Sequence, residues 1–125
     1  MANLLNSVLD PSGTGESLPA LNIQNLAAAG DTIAKNPFTE LRATSPLVMT
    51  STPTISAGIT DGERMIIRGS DNTNTITLQS EANLSNSNLY MKDGIDCVLG
   101  ANSIIVFRWN NLNSAWNEVS RSLNS

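Results

Sequence analysis

Histidine is absent from this 125-residue chain. Its absence excludes Ser-His-Asp and Cys-His nucleophile systems and every His-ligated zinc or haem site. Cysteine occurs once, at Cys97, so no intrachain disulfide and no thiolate cage can form. Its simplest role is that of a small buried hydrophobe. Aromatic residues make up 4% and charged residues 14%, the latter well below the roughly 25% of an average soluble domain. Seven Lys and Arg stand against eleven Asp and Glu, for a net charge of −4. The bases form no run and are not interleaved with aromatics, which argues against nucleic acid as a partner. No apolar run is long enough to cross a membrane as a helix. The opening Met1-Ala2-Asn3-Leu4-Leu5-Asn6 has neither a basic n-region nor a secretory h-region. The expected compartment is therefore cytoplasmic, unless the chain is carried out on something larger.

Uncharged polar residues fill the space that charge leaves. Asn, Ser and Thr number 16, 15 and 11. Residues 1–43 are rich in Ala, Leu and Asn, interrupted by Pro11, Pro19 and Pro37, and contain no base before Lys35. We read this stretch as an extended N-terminal arm. Asn22 to Ala29 is predicted as its one short helix, stopped by Gly30. An eight-residue helix is marginal alone, so the arm needs a surface to lie on. Its apolar residues Leu4, Leu5, Val8, Leu9, Leu18, Leu21, Ile23 and Leu26 are the predicted docking contacts.

Residues 44–125 carry the strand period. Candidate strands are Leu47–Ser51, Arg64–Arg68, Thr75–Gln79, Asn88–Met91, the alternating Ile95, Cys97 and Leu99, Ser103–Trp109 and Trp116–Arg121. Ser103–Trp109 is nearly continuous in apolar residues, as in a strand buried on both faces. Asp61-Gly62, Asp93-Gly94 and Asn110–Ser114 supply turns. Short strands at intervals of about ten residues predict an all-β, antiparallel sandwich with an arm. Ile76, Leu78, Ile104, Val106, Trp109 and Trp116 are the predicted residues of the core or of a subunit interface, which the sequence does not separate.

Chemical motifs are weak. Ser12-Gly13-Thr14-Gly15-Glu16-Ser17 places Glu16 where a phosphate-binding loop needs Lys. Asp71-Asn72-Thr73-Asn74 has oxygen ligands at short spacing but lacks the central Gly and terminal Glu of a calcium loop, and reads as a capped turn. Asp61, Glu63, Glu81, Asp93 and Asp96 could in principle supply a glycosidase carboxylate pair. Such a site would need Trp109, Trp116 and Tyr90 exposed in one groove, whereas Trp109 and Trp116 flank one turn and suit cross-hairpin packing. Asn83-Leu84-Ser85 is a chance sequon in a chain without a secretory signal. No catalytic residue, metal site or cofactor is predicted.

Three stretches carry a family resemblance: Thr52-Pro53-Thr54-Ile55-Ser56-Ala57-Gly58, Arg68-Gly69-Ser70-Asp71-Asn72-Thr73-Asn74-Thr75-Ile76-Thr77-Leu78-Gln79, and Trp116-Asn117-Glu118-Val119-Ser120-Arg121-Ser122. Together with Asp61–Arg64, Asn88-Leu89, Leu99-Gly100 and Ser103–Phe107, they resemble a β-module of tailed-bacteriophage virion proteins over roughly residues 45–122. Gly100-Ala101-Asn102-Ser103 departs from the Gly-x-Gly-Asp common in that family. The resemblance implies a jelly-roll-like domain that assembles as a homotrimer. It also implies a role as a capsid decoration (cement) protein on the outer surface of the virion, made in the host cytoplasm and bound to the major capsid protein. A tail, neck or head-fibre part, with host glycans as a candidate contact, is the alternative. A small cytoplasmic carbohydrate-binding or hydrolytic sandwich is a third reading, from another class.

Overall fold

The computed structural model describes residues 20–123. Nine strands form two facing sheets: β1 Asn22–Leu26, β2 Phe38–Ala43, β3 Leu47–Val48, β4 Arg64–Arg68, β5 Ile76–Leu78, β6 Leu89–Tyr90, β7 Cys97–Leu99, β8 Ile104–Asn110 and β9 Ala115–Ser122. The larger sheet has the order β1-β2-β4-β8-β9-β6, and the smaller one β3-β5-β7. A turn of 3₁₀ helix at Lys92–Gly94 is the only helical element among the described residues. The chain is thus an all-β sandwich, as its alternation predicts.

Pairing is mixed rather than purely antiparallel. β4–β8, β8–β9 and β5–β7 are antiparallel, whereas β1–β2, β2–β4, β3–β5 and β6–β9 are parallel. Parallel neighbours need a crossover between them. Here the chain leaves one sheet for the other: β2 reaches β4 by way of β3, and β3 reaches β5 by way of β4.

The predicted helix at Asn22–Ala29 is not formed; Asn22–Leu26 is an edge strand along β2. Gln24 fixes it there, donating from Nε2 to Ala34 O at 2.7 Å and accepting from Ala34 N at 2.9 Å. The following turn closes on Asp31, whose carboxylate accepts from Ala27 N and Ala28 N. Leu26, Ile33 and Leu41 enter the hydrophobic core. The expectation of an arm through residue 43 is therefore corrected: Asn22–Leu26 and Phe38–Ala43 are strands of the larger sheet. Residues 1–19 lie outside the described residues, and with them Leu4, Leu5, Val8, Leu9 and Leu18.

The core lies between the sheets. Leu41, Met65, Ile67, Ile105, Phe107 and Trp116 face Ile76, Leu78, Cys97 and Leu99. Burial of each large apolar side chain contributes roughly 1.5–3 kcal/mol. Trp109 and Trp116 are register partners across β8–β9 and pack edge to face, with centroids 5.3 Å apart. Their indole N–H groups donate to Asn111 Oδ1 and Ser56 O. Gly69 passes so near Gly100 that a Cβ there would overlap the Gly100 carbonyl. Gly62, at φ +85°, turns the chain into β4 in a region that side chains disfavour.

Candidate functional site: the outer face of the larger sheet

Strand alternation assigns every side chain of the larger sheet to one of two faces. Arg64, Ile66 and Arg68 of β4 point away from the core, opposite Arg108, Val106 and Ile104 of β8. Phe38 and Glu40 of β2 stand beside Ile66 and Arg68. Ile23 of β1 adjoins Glu40, and Ser120 and Ser122 of β9 adjoin Val106 and Ile104. The result is an apolar stripe of Phe38, Ile66, Val106 and Ile104, bracketed by arginines. All four residues of the stripe are half-buried.

Four of the chain's five arginines (Arg42, Arg64, Arg68 and Arg108) share this face with one carboxylate, Glu40. Glu40 is only 7% exposed although it sits on an outer surface. Its Oε2 accepts from Arg42 Nε at 2.6 Å and its Oε1 from Arg68 Nε at 2.8 Å. Burial pushes the Glu40 carboxyl up, but the two guanidinium groups outweigh it and hold the carboxyl below the ordinary glutamate range. The Arg68 guanidinium also lies 5.4 Å from the centre of the Phe38 ring, within cation–π range.

Arg64 and Arg108 differ from that pair. They stand directly opposite each other across β4 and β8, where like charges are unfavourable. Among the described residues neither has an ion pair or a side-chain hydrogen bond. Beside them, the Gly58–Gly62 loop and the β8–β9 turn are joined by Asn111 N donating to Asp61 Oδ1. Among the described residues, these loops carry the two most exposed large apolar side chains, Ile59 at 78% and Leu112 at 97%. The unpaired arginine couple and these exposed aliphatics therefore lie on one continuous surface.

The other residues of chemical interest are committed to structure. Glu63 pairs with Lys35 and accepts from the amides of Ile59 and Thr60. Its carboxyl lies below the ordinary range because these contacts outweigh burial. Glu81 accepts from the amides of Asn86 and Asn88, and Asp96 from Ser80 N and Asn83 Nδ2. Asp71 closes its own turn through Thr73 N and Asn74 Nδ2, while Asn72 Oδ1 accepts from Ala101 N. Among the described residues, no three of the Cys, Asp and Glu side chains group as metal ligands. Cys97 is buried, and burial pushes its thiol up to about 11, which keeps it protonated and unreactive. A shallow cavity of about 260 Å³ is lined by Lys92, Asp93, Ile95, Glu118 and Arg121. Its ion pair is satisfied internally: Arg121 binds Glu118 and donates to the carbonyls of Ile95 and Asp96.

Of the predicted contacts, Ile76, Leu78, Trp109 and Trp116 are core. Ile104 and Val106 are half-buried on the outer face, so β8 is buried on one face and not on both. The core residues of that strand are Ile105, Phe107 and Trp109. Of the docking residues, Leu21 and Ile23 are exposed, but Leu26 is 6% exposed and belongs to the core, which removes it from any docking role. The carbohydrate groove is not formed, because Trp116 is fully buried and Trp109 nearly so while Tyr90 is exposed. Arg64, Arg68, Arg108 and Phe38 were not predicted as a surface. The signal was nonetheless present: Arg64-Met65-Ile66-Ile67-Arg68 alternates, and alternation places Arg64, Ile66 and Arg68 on one face.

No family model matches the chain, and no curated protein does. Among solved structures, the chain is similar to part of one described as a chaperone-substrate complex. The two share 16% identity at a TM-score of 0.47, covering 89% of this chain. The chain spans 19% of the length of that protein.

Proposed function

We propose that this protein is a non-catalytic decoration protein of a tailed-bacteriophage capsid. In this reading it docks on the major capsid protein through the outer face of its larger sheet and stabilises the assembled shell. The observation that carries the reading is the unpaired Arg64–Arg108 couple beside the Phe38–Ile66–Val106 stripe. Such a face suits an acidic, partly apolar protein surface, with charge steering the encounter and the stripe supplying buried area. The resemblance of residues 45–122 to virion modules supplies the class of partner. Homotrimeric assembly, which that resemblance implies, would present three such faces at once and raise avidity through effective concentration. A ligand that binds the assembled shell and not the free subunits stabilises the shell by mass action. The docking contacts named for the N-terminus reduce, among the described residues, to Leu21 and Ile23, both at the β1 edge of this face.

A tail, neck or head-fibre part is the second reading; it shares the resemblance and differs in copy number. Band intensity on a gel of purified particles separates the two. Hundreds of copies per particle are expected for decoration, and on the order of ten for a tail part. Charge reversal at Arg64 and Arg108 should abolish decoration without unfolding the protein. Full decoration by that variant would overturn the assignment of the face.

A further inference from the structure

We infer that the outer face of the larger sheet takes an extended peptide segment in which acidic and apolar residues alternate. The inference deepens the docking role proposed above and rests on it, because it names the chemistry of the segment that the face grips. It comes from two parallel rows of side chains that the register lays across the strands.

The first row consists of hydrogen-bond donors. Arg64 of β4 stands opposite Arg108 of β8, Arg108 opposite Asn117 of β9, and Asn117 opposite Tyr90 of β6. All four lie on the outer face, since their strand neighbours Met65, Phe107, Trp116 and Leu89 belong to the core. Trp109 N donates to Glu63 O. The adjoining Arg64–Arg108 pair is therefore of the kind without ladder bonds of its own, whose side chains stand closest, with Cβ atoms about 5 Å apart. Asn117 Oδ1 accepts from Asn113 Nδ2 at 3.2 Å, which leaves its own Nδ2 to donate. Among the described residues, neither guanidinium group, nor Asn117 Nδ2, nor the Tyr90 hydroxyl has a partner. Four donors in line thus carry two positive charges and meet no acceptor.

The second row is apolar and lies one pleat away. Phe38, Ile66 and Val106 stand side by side across β2, β4 and β8, about 7 Å from the donors along the strands. The two rows overlap on β4 and β8. A saccharide or a phosphodiester chain would use the donors and leave the apolar row uncovered. An extended peptide uses both rows, because its successive side chains point to opposite sides. A backbone laid between the rows sends one set of alternate residues to the donors and the other set to the stripe. Residues i, i+2 and i+4 of such a segment span about 13 Å, close to the three strand spacings, about 14 Å, from Arg64 to Tyr90. Carboxylates in the first set supply the counter-charge that Arg64 and Arg108 lack, in the two-point geometry that guanidinium groups favour. Carboxylate oxygens farther along accept from Asn117 and Tyr90.

The test is fluorescence anisotropy of the full-length protein with a short dye-labelled peptide of alternating glutamate and valine. Arg64→Gln with Arg108→Gln should weaken binding by about tenfold or more, and Tyr90→Phe with Asn117→Asp by about threefold or more. Asn117→Asp keeps the acceptor for Asn113 and replaces the donor. Circular dichroism and thermal melts of both double variants should match those of the parent, since all four side chains face outward. A peptide of the same composition, with its glutamates and valines in separate blocks, should bind more weakly. Equal binding of the two peptides, or unchanged binding by the Tyr90→Phe and Asn117→Asp variant, would overturn the inference. So would tighter binding of a sulfated polysaccharide or a single-stranded oligonucleotide through the same four residues. Particle decoration separates this failure from that of the docking role. If Arg64→Glu with Arg108→Glu abolishes decoration while the alternating peptide does not bind, the inference alone falls. If that variant decorates fully, the docking role falls and the inference with it.

Discussion

Strand β8 gives the sharpest quantitative prediction, because neighbouring residues of similar chemistry face opposite ways. Ile105 and Phe107 are fully buried against the smaller sheet, while Ile104 and Val106 lie half-buried on the outer face. Truncating a buried Ile or Phe to Ala costs about 2–5 kcal/mol, as lost transfer energy plus the cavity left behind. On the outer face only part of that transfer energy was gained and no enclosed cavity forms. Ile104→Ala and Val106→Ala should each cost about 1 kcal/mol, including lost strand propensity. Alanine at positions 104, 105, 106 and 107 should thus produce alternating small and large losses in urea unfolding, at constant m-value. The two mild variants should still bind capsids less well. A loss at Ile104 equal to that at Ile105 would refute the face assignment, since a one-residue register slip exchanges the faces.

Three other outcomes are expected. Gly69→Ala should destabilise by about 1–3 kcal/mol because the new Cβ meets backbone at Gly100, whereas Gly30→Ala, with open space around it, should be near neutral; thermal melts of the two compare them directly. Glu40, Glu63 and Glu118 all titrate below their ordinary value of 4.5. Their contribution is therefore complete above that value and is lost as pH falls through the folded-state values beneath it. With no histidine to titrate, the urea midpoint should stay flat from pH 7 to about 5 and drop below about 4.5; Glu118→Gln should make the drop shallower. Deleting residues 1–19 should leave the circular dichroism spectrum and a cooperative melt intact. Deleting residues 1–40 should abolish the melt, because it removes β1, half of β2 and the fully buried Ile33.

The β class and most strands were legible because alternation survives in single strands: Arg64–Arg68 matches β4 residue for residue, and Ile76 and Leu78 point inward as their spacing predicts. The turn at Asp71 was legible from its Asx chemistry, and closes through Thr73 N. Asn22–Leu26 was misread because its five residues carry two asparagines and a glutamine, a weak strand signal. What makes it a strand is non-local: pairing with β2 and the Gln24–Ala34 bonds. The apolar run of β8 was read as buried on both faces because composition does not say whether a second layer exists there. The arginine face escaped for a related reason. Arg64 and Arg68 share a strand, but Arg42 and Arg108 are far from them in sequence and join them only once β2, β4 and β8 are placed side by side.

We propose that the outer face of the larger sheet docks on a repeated protein shell. A side-chain-resolution reconstruction of particles that carry the protein tests it most directly. The expected result is density at regular positions over the capsid, with Arg64 and Arg108 turned toward acidic residues of the shell and Ile66 buried against it. Density confined to the tail, or a decorated shell with those residues facing solvent, would contradict it.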